Sequence, residues 1–166
     1  MLVVTETWHK GPQSSSLKRA TPPGYHCIDA ARPIQPGAAV NTVEFQNHGG
    51  LAILYREVVM LQKKVLDLDV STFEYLCGGR LTRDGQFVLL GVYRPRSQEV
   101  SSAFKKLATM FERLSVYSCP VVICGDFNVH VDDASCADVV HLADLLQSFG
   151  YVQHVTTATH TAGHTL

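Results

Sequence analysis

The apolar positions of the chain fall into short runs, which predict β-strands. Residues 2–5 have the length and composition of a short buried strand, and residues 51–55, which follow Gly49-Gly50, predict another strand. Residues 72–77 alternate apolar with polar side chains, as a half-buried strand does. Residues 87–93 form a strongly apolar strand, and the Asp-Gly pair at residues 84–85 before it predicts a hairpin.

Two segments repeat their apolar residues at the helical period. The first runs from Val100 to Leu114, and the second from about Asp138 to Phe149. Ser135 and Asp138 have the spacing of a capping box, which predicts the start of the second helix. Gly150 has the position of the glycine that commonly ends a helix.

Residues 120–124, between the two helices, form a short continuous apolar run, which predicts a strand buried on both faces. Segments 9–24 and 31–42 are rich in glycine, proline and polar residues and predict surface loops. Strands that alternate with helices predict an α/β or α+β fold with layered sheets. The length of 166 residues predicts a single domain over residues 1–166.

Composition narrows the classes of function. The chain is 46% hydrophobic, which is enough to build a core, and its net charge is −1 with a pI of about 6.7. A protein that binds nucleic-acid phosphates over its whole surface is usually strongly basic. Contact with nucleic acid would therefore be local, or a metal ion would meet the phosphate.

The cysteines and the apolar runs bear on the compartment. The five cysteines include no C-x-x-C pair, which argues against a zinc site or a disulfide framework and favours buried free thiols. No apolar run approaches the roughly 20 residues of a membrane span, and the first residues do not resemble a signal peptide. These features predict an intracellular protein without a membrane partner.

Polar residues that could carry chemistry follow three of the predicted strands. Glu6 follows the first strand, Tyr93 and Arg94 end the fourth, and Asp126 and Asn128 follow the strand at 120–124. In α/β sheets, ligands bind beyond the carboxyl ends of the strands, so these side chains could meet at one cleft between neighbouring strands. Carboxylates that hold Mg²⁺, with tyrosine, arginine and asparagine donors, suit the hydrolysis of a phosphate ester.

Each of these residues also has a simpler interpretation. Gly125-Asp126 could be only a turn, with Asn128 tolerating a left-handed backbone. Glu6 could be an exposed charge at a strand end. Residues 93–95 could be a strand terminus at which Pro95 stops the ladder. Only their joint occurrence, in this order, favours a site.

Six segments resemble the endonuclease/exonuclease/phosphatase family, which includes abasic-site endonucleases and inositol polyphosphate phosphatases. The resemblance is greatest to the endonuclease domain of non-LTR (LINE-type) retrotransposons. The segments are Thr5-Glu6-Thr7-Trp8, Gly49-Gly50-Leu51-Ala52-Ile53-Leu54, Val92-Tyr93-Arg94-Pro95, Gly125-Asp126-Phe127-Asn128 with His130, Thr159-His160, and Gly163-His164-Thr165-Leu166.

The resemblance implies a DNase-like fold, a two-sheet sandwich flanked by helices, and a set of residue roles. Glu6 would bind the catalytic Mg²⁺, which Mn²⁺ could replace. Tyr93 would hydrogen-bond the scissile phosphate, and Arg94 would support the contact with DNA. Asp126 would activate the attacking water, and Asn128 would stabilise the transition state and bind substrate.

The ending of the chain resembles the retrotransposon branch, and Thr159 within it would be a further substrate-binding residue. The family also has an Asn-bearing strand before Glu6, and an Asp, two strands and a Ser-Asp-His after residue 166. We therefore expect an incomplete domain that lacks the first strand and the C-terminal strands, with weak activity. His160 and His164 are not expected to replace the missing histidine.

The interpretation that follows is a Mg²⁺-dependent endonuclease of a retroelement that nicks DNA. A reverse transcriptase domain is expected downstream in the parent protein, and the nucleus is one compartment where the enzyme could act. Two alternatives stay open. One is an inositol-phosphate or lipid phosphodiesterase of the same fold, and the other is a non-catalytic relic of a retroelement.

Overall fold

The computed structural model describes residues 1–11, 14–32, 49–82, 85–157 and 159. These residues form a mixed α+β fold with one antiparallel sheet, one mixed sheet and few helices. In chain order the elements are β1 (Leu2–Thr5), α1 (Ser15–Ala20), β2 (Tyr25–Ala30), β3 (Leu51–Arg56), β4 (Gln62–Lys64), β5 (Glu74–Thr82), β6 (Gly85–Tyr93), α2 (Val100–Leu114), β7 (Val121–Asp126) and α3 (Ala137–Ser148).

The first sheet has the strand order β1-β3-β2, and both outer strands run antiparallel to β3. Strand β3 is central because its apolar residues at 51–55 are all buried, while Arg56 at its end is exposed. β1 is an outer strand, and Leu2 at its start is 57% exposed. The prediction of a strand at residues 2–5 is confirmed, but its complete burial is wrong, because β1 has a partner on one side only.

The second sheet has the order β4-β5-β6-β7. β5 and β6 are antiparallel and Thr82 pairs with Gly85, which confirms the predicted hairpin; residues 83 and 84 of its turn lie outside the described residues. β7 runs parallel to β6. The amide of Val88 bonds the carbonyl of Pro120, and the amide of Arg94 bonds the carbonyl of Asp126. Both partners thus advance by six residues in the same direction along the chain.

The chain divides into two compact units. The first comprises Met1–Val65, Glu74–Tyr93 and Cys119–Gly125, and the second comprises Leu66–Phe73, Arg94–Ser118 and Asp126–Leu166. The domain expected over residues 1–166 stays a prediction. Among the described residues, none of the helices has the length and apolar character that crossing a membrane requires.

Apolar side chains from both sheets form the core of the first unit. Strands β3, β5 and β6 supply most of its buried members, and half-buried residues of β1 and β2 pack against them. The buried members are Leu51, Ile53, Tyr55, Leu61, Leu76, Leu89 and Tyr93. Since Tyr93 belongs to this core, the end of β6 is rigidly placed.

The second unit contains α2 and α3, which contact each other through aromatic side chains. Helix α2 has the bounds that its apolar period predicts, and it buries one stripe of side chains. The Phe104 ring meets His141 of α3 edge to face, with centroids 5.1 Å apart. Phe111 contacts Phe149 and Tyr151, beyond the end of α3, at 5.5 and 4.9 Å.

Helix α3 confirms its predicted C-terminal signal but not its N-terminal one. Gly150 has φ +73, its amide bonds the Gln147 carbonyl, and the next amide bonds Leu146, which is the Schellman pattern. The capping-box prediction is wrong. The residue before the helix is Cys136, and Ser135 donates its hydroxyl to Asp133 Oδ1 instead of capping the helix.

Three further expectations are corrected. The predicted loop at 9–24 contains the short helix α1, and β2 was not predicted as a strand. β7 is a strand but is not buried on both faces, since Val122 is 51% exposed. β7 ends the order of the described sheet, so only one of its edges is paired. The predicted loop at 31–42 lies almost entirely outside the described residues.

Candidate functional site

Glu6 follows β1 in a tight turn that is anchored to the start of β3. Glu6 and Trp8 both have left-handed backbones, with φ of +52 and +51. The amides of Thr7 and Trp8 bond the carbonyls of Gly50 and Gly49 at 3.2 and 2.8 Å. The turn exposes the Glu6 carboxylate, whose Oε1 accepts a 2.5 Å hydrogen bond from the Tyr93 hydroxyl.

Tyr93 ends β6 with a buried ring, opposite Glu74 in the β5–β6 ladder. The Arg32 guanidinium lies 5.9 Å from the centre of the Tyr93 ring, and its Nε donates to Glu74 Oε1 at 2.6 Å. Glu74 Oε2 accepts the amide of Gly50 at 2.5 Å. Glu74, in a partly buried ion pair with Arg32, therefore links the end of β6 to the start of β3, the two segments that position Glu6.

A second polar cluster, around His9, stabilises the turn that carries Glu6. The His9 side chain is buried, and its Nδ1 lies 2.6 Å from the Thr7 hydroxyl. Its Nε2 lies 3.0 Å from Asp29 Oδ2 in β2. Both ring nitrogens therefore have a partner, as a buried histidine requires.

Asp126 and Asn128 form the corresponding turn at the end of β7. Asp126 Oδ1 accepts the amide of Asn128 at 2.8 Å, and Asn128 has φ +50. This is an Asx-turn with a left-handed residue, so the turn interpretation describes the backbone correctly. The turn leaves Asp126 Oδ2 without a hydrogen-bond partner among the described residues, so this oxygen can accept a proton.

Arg94 lies inside this turn. Its side chain is buried, and its N–H groups donate to the carbonyls of Phe127 at 2.6 Å, Asn128 at 2.7 Å and Gln98 at 2.7 Å. Burial lowers the pKa of the Arg94 guanidinium, an effect that the carboxylates of Asp138 and Asp126 oppose. Arg94 therefore holds the turn, and its contact with DNA stays a prediction.

Gly125 allows β7 to approach β6 closely. A Cβ at this position would lie 1.9 Å from the Val92 carbonyl oxygen, and the backbone φ is +140. A backbone atom cannot move aside as a flexible side chain can. Only glycine therefore fits directly before Asp126.

The carboxylate of Glu6 suits a hard cation. Mg²⁺ takes oxygen ligands from one or two carboxylates and keeps several waters. Glu6 is exposed, and its Oε2 has no hydrogen-bond partner within the described ranges. In the same part of the chain, no three His, Cys, Asp or Glu side chains come together as metal ligands. The Glu6 carboxylate by itself fits the oxygen chemistry of Mg²⁺ or Mn²⁺.

The structure brings the predicted site residues together in two groups. In the first unit Glu6 meets Tyr93, and in the second unit Arg94, Asp126 and Asn128 meet. The expectation that the three strands are neighbours is wrong, because β1 belongs to the first sheet and β6 and β7 to the second. The single cleft stays a prediction.

The C-terminal candidate residues are described only in part. Thr159 is exposed, and its role as a substrate-binding residue stays a prediction. His160 and His164 lie outside the described residues.

Sequence reasoning missed the residues that position the site, namely Arg32, Glu74, His9 and Asp29. Only Glu74 carries a signal, as the charged residue of the strand predicted at residues 72–77. The partners of the others are set by the pairing of distant strands, which no local pattern reveals.

Comparisons with known proteins show the fold alone. No sequence profile of a known family matches the chain, and no curated protein matches it. Four chains of solved structures do match. One is the human Nocturnin catalytic domain with bound sulfate anion, with a TM-score of 0.53 and 16% identity. The match covers 98% of this chain and 66% of that one, so this chain spans slightly less than two thirds of that domain. The predicted fold is thereby confirmed: the chain has the DNase-like α+β fold of the Nocturnin catalytic domain.

Proposed function

We propose that this protein hydrolyses phosphodiesters with the help of Mg²⁺ and that its substrate is DNA. The observation that carries the proposal is the turn at the end of β7. There the Asn128 amide and the buried Arg94 fix Asp126 while leaving one carboxylate oxygen open. The exposed Glu6 carboxylate and the DNase-like fold support the same reaction.

The side chains present would act in the following way. Glu6 would hold Mg²⁺, which neutralises phosphate charge and favours attack by water. Tyr93 would keep the Glu6 carboxylate in place through its hydroxyl. Asp126 would take a proton from the attacking water as the water oxygen bonds to phosphorus and the bond between phosphorus and the leaving oxygen breaks. Solvent water would supply the proton that the leaving oxygen needs.

Asn128 has a defined share in this reaction. One hydrogen of its Nδ2 is donated to the Arg94 carbonyl at 2.6 Å. An amide nitrogen carries two hydrogens, so the other can bond an oxygen of the phosphate. This second hydrogen would stabilise the charge that develops on the phosphate in the transition state.

The choice of DNA rests on the resemblance to retrotransposon endonucleases. The bound sulfate of the Nocturnin domain is a tetrahedral anion like phosphate, so it supports a phosphate substrate in general. A retroelement origin, a reverse transcriptase in the parent protein and a role in the nucleus belong to the same proposal. The segments from Thr159 onward favour it over an inositol-phosphate phosphodiesterase.

Nicking of a supercoiled plasmid in Mg²⁺ tests this proposal. We expect slow nicking by the chain and at least about a hundredfold loss in Asp126→Asn, since the amide cannot take the proton. The matched control is Asp144→Asn, which makes the same change at an exposed position of α3 and should leave the rate unchanged.

Equal rates for the two variants would contradict the assignment of Asp126. Release of phosphate from inositol phosphates without nicking would instead favour the lipid or inositol-phosphate alternative. A chain that shows neither activity and no cooperative thermal unfolding would fit a non-catalytic relic.

A further inference from the structure

Two arginines flank Pro95, and their environments are opposite. Arg94 is buried and donates to backbone carbonyls, whereas Arg96 is exposed. Both belong to the second unit. Arg94 and Arg96 therefore have different partners, although they carry the same charge and lie on either side of the same proline.

Arg96 contacts Asn128 directly. Its Nε donates to Asn128 Oδ1 at 2.8 Å, while Asn128 Nδ2 donates to the Arg94 carbonyl at 2.6 Å. The amide is thereby held at both ends. A reversed amide would place its NH₂ group against the guanidinium, so Arg96 fixes which side of Asn128 carries the donor.

The rest of the Arg96 guanidinium is directed to no other residue of the described chain. Of its five N–H groups, Nε uses one, and the four on Nη1 and Nη2 are available. These four form a planar fork that matches two oxygens of a phosphate. The contact with Asn128 holds this fork beside the residue to which the proposed function gives a phosphate contact.

We propose that Arg96 binds a phosphate of the DNA strand next to Asn128 and orients the Asn128 amide toward it. This inference rests on the proposed function and names the residue that makes its electrostatic contact. It assigns to Arg96 the role for which the sequence favoured Arg94. A local cation of this kind also fits a chain whose net charge is only −1.

Binding of a fluorescently labelled duplex DNA to the whole chain, with Ca²⁺ in place of Mg²⁺, tests the inference. We expect Arg96→Gln to weaken binding about tenfold near 0.1 M salt. The slope of log K against log salt should also fall by about one, as the loss of one phosphate contact requires. Arg96→Lys should keep the slope but lose part of the affinity, since an ammonium lacks the planar fork.

The matched control is Arg113→Gln, which removes the same charge from an exposed position in the last turn of α2. It should change neither the affinity nor the slope. Both variants should keep the wild-type unfolding temperature, because neither side chain is buried.

Two results would overturn the inference, and they differ in scope. If the chain binds DNA and Arg96→Gln behaves like Arg113→Gln, Arg96 does not contact phosphate, while the proposed function stands. If the wild-type chain neither binds nor nicks DNA, the proposed function fails and this inference fails with it.

Discussion

At the scale of single residues, backbone geometry accounts for Gly125 and Asn128 in the turn around Asp126, whether or not the turn is catalytic. Gly125 is required because the β6 backbone leaves no room for a Cβ. Asn128 adopts φ +50, a conformation that asparagine tolerates better than most residues. The interpretation as a turn and the interpretation as a catalytic loop therefore describe the same geometry. The proposed catalytic role uses the Asp126 oxygen that is not bonded to the Asn128 amide.

Substitution of Gly125 measures how strongly stability depends on the close approach of β7 to β6. We expect Gly125→Ala to lower the free energy of unfolding by more than about 3 kcal/mol, because its Cβ would overlap the Val92 carbonyl. The control is Gly24→Ala, where φ is +77 but no side chain or backbone atom of the described residues is found within 4 Å of the added Cβ. Backbone strain alone should there cost about 1 kcal/mol. Urea denaturation of both variants checks the prediction, and equal losses would contradict it.

The sequence identified Glu6, Tyr93, Asp126 and Asn128 as candidates because each directly follows or ends an apolar strand. It could not assign the role of Arg94. Whether an arginine is exposed or buried among carbonyls depends on the path of residues 126–128, which lie more than thirty positions away. An exposed Arg96 beside a buried Arg94 is likewise a property of the folded chain only.

At the scale of elements, the prediction was most accurate where the apolar residues repeat at a regular period over a long segment. Helix α2 has fifteen residues, and its apolar positions recur over four turns, so both of its ends were correct. β2 was missed because its short run mixes charged and apolar residues. β7 was predicted as buried because its residues are apolar, but its exposure depends on which strands pair with it.

Strand β5 carries a thiol that should make stability depend on pH. Burial raises the pKa of Cys77 from 9.0 to about 11. The unfolded chain therefore loses this proton at lower pH than the folded chain does. The contribution of Cys77 to stability is complete below about pH 9 and is lost as the pH rises toward about 11.

Urea denaturation at pH 8 and pH 10.5, in the presence of a reductant, measures this effect. We expect the wild type to lose more stability between the two values than Cys77→Ala does. The comparison with this variant is necessary because burial also raises the pKa of Cys124 and Tyr55. An identical loss in both proteins would show that Cys77 does not titrate as its burial requires.

At the scale of the whole molecule, a net charge of −1 argues against binding by a broadly basic surface. A DNase-like fold with this charge needs local devices to meet a phosphate. The proposed devices are a cation held by Glu6 and a single exposed arginine beside Asn128. The proposed hydrolysis therefore depends on a metal ion.

The most direct test of this claim is the dependence of plasmid nicking on Mg²⁺ concentration. We expect no nicking without the metal, and we expect Glu6→Gln to raise the half-saturating Mg²⁺ concentration by at least about tenfold, since a neutral amide is a weaker ligand. Glu57→Gln, an equal change at an exposed residue of the same unit, should leave the curve unchanged. Nicking that persists without metal, or identical curves for the two variants, would contradict the account.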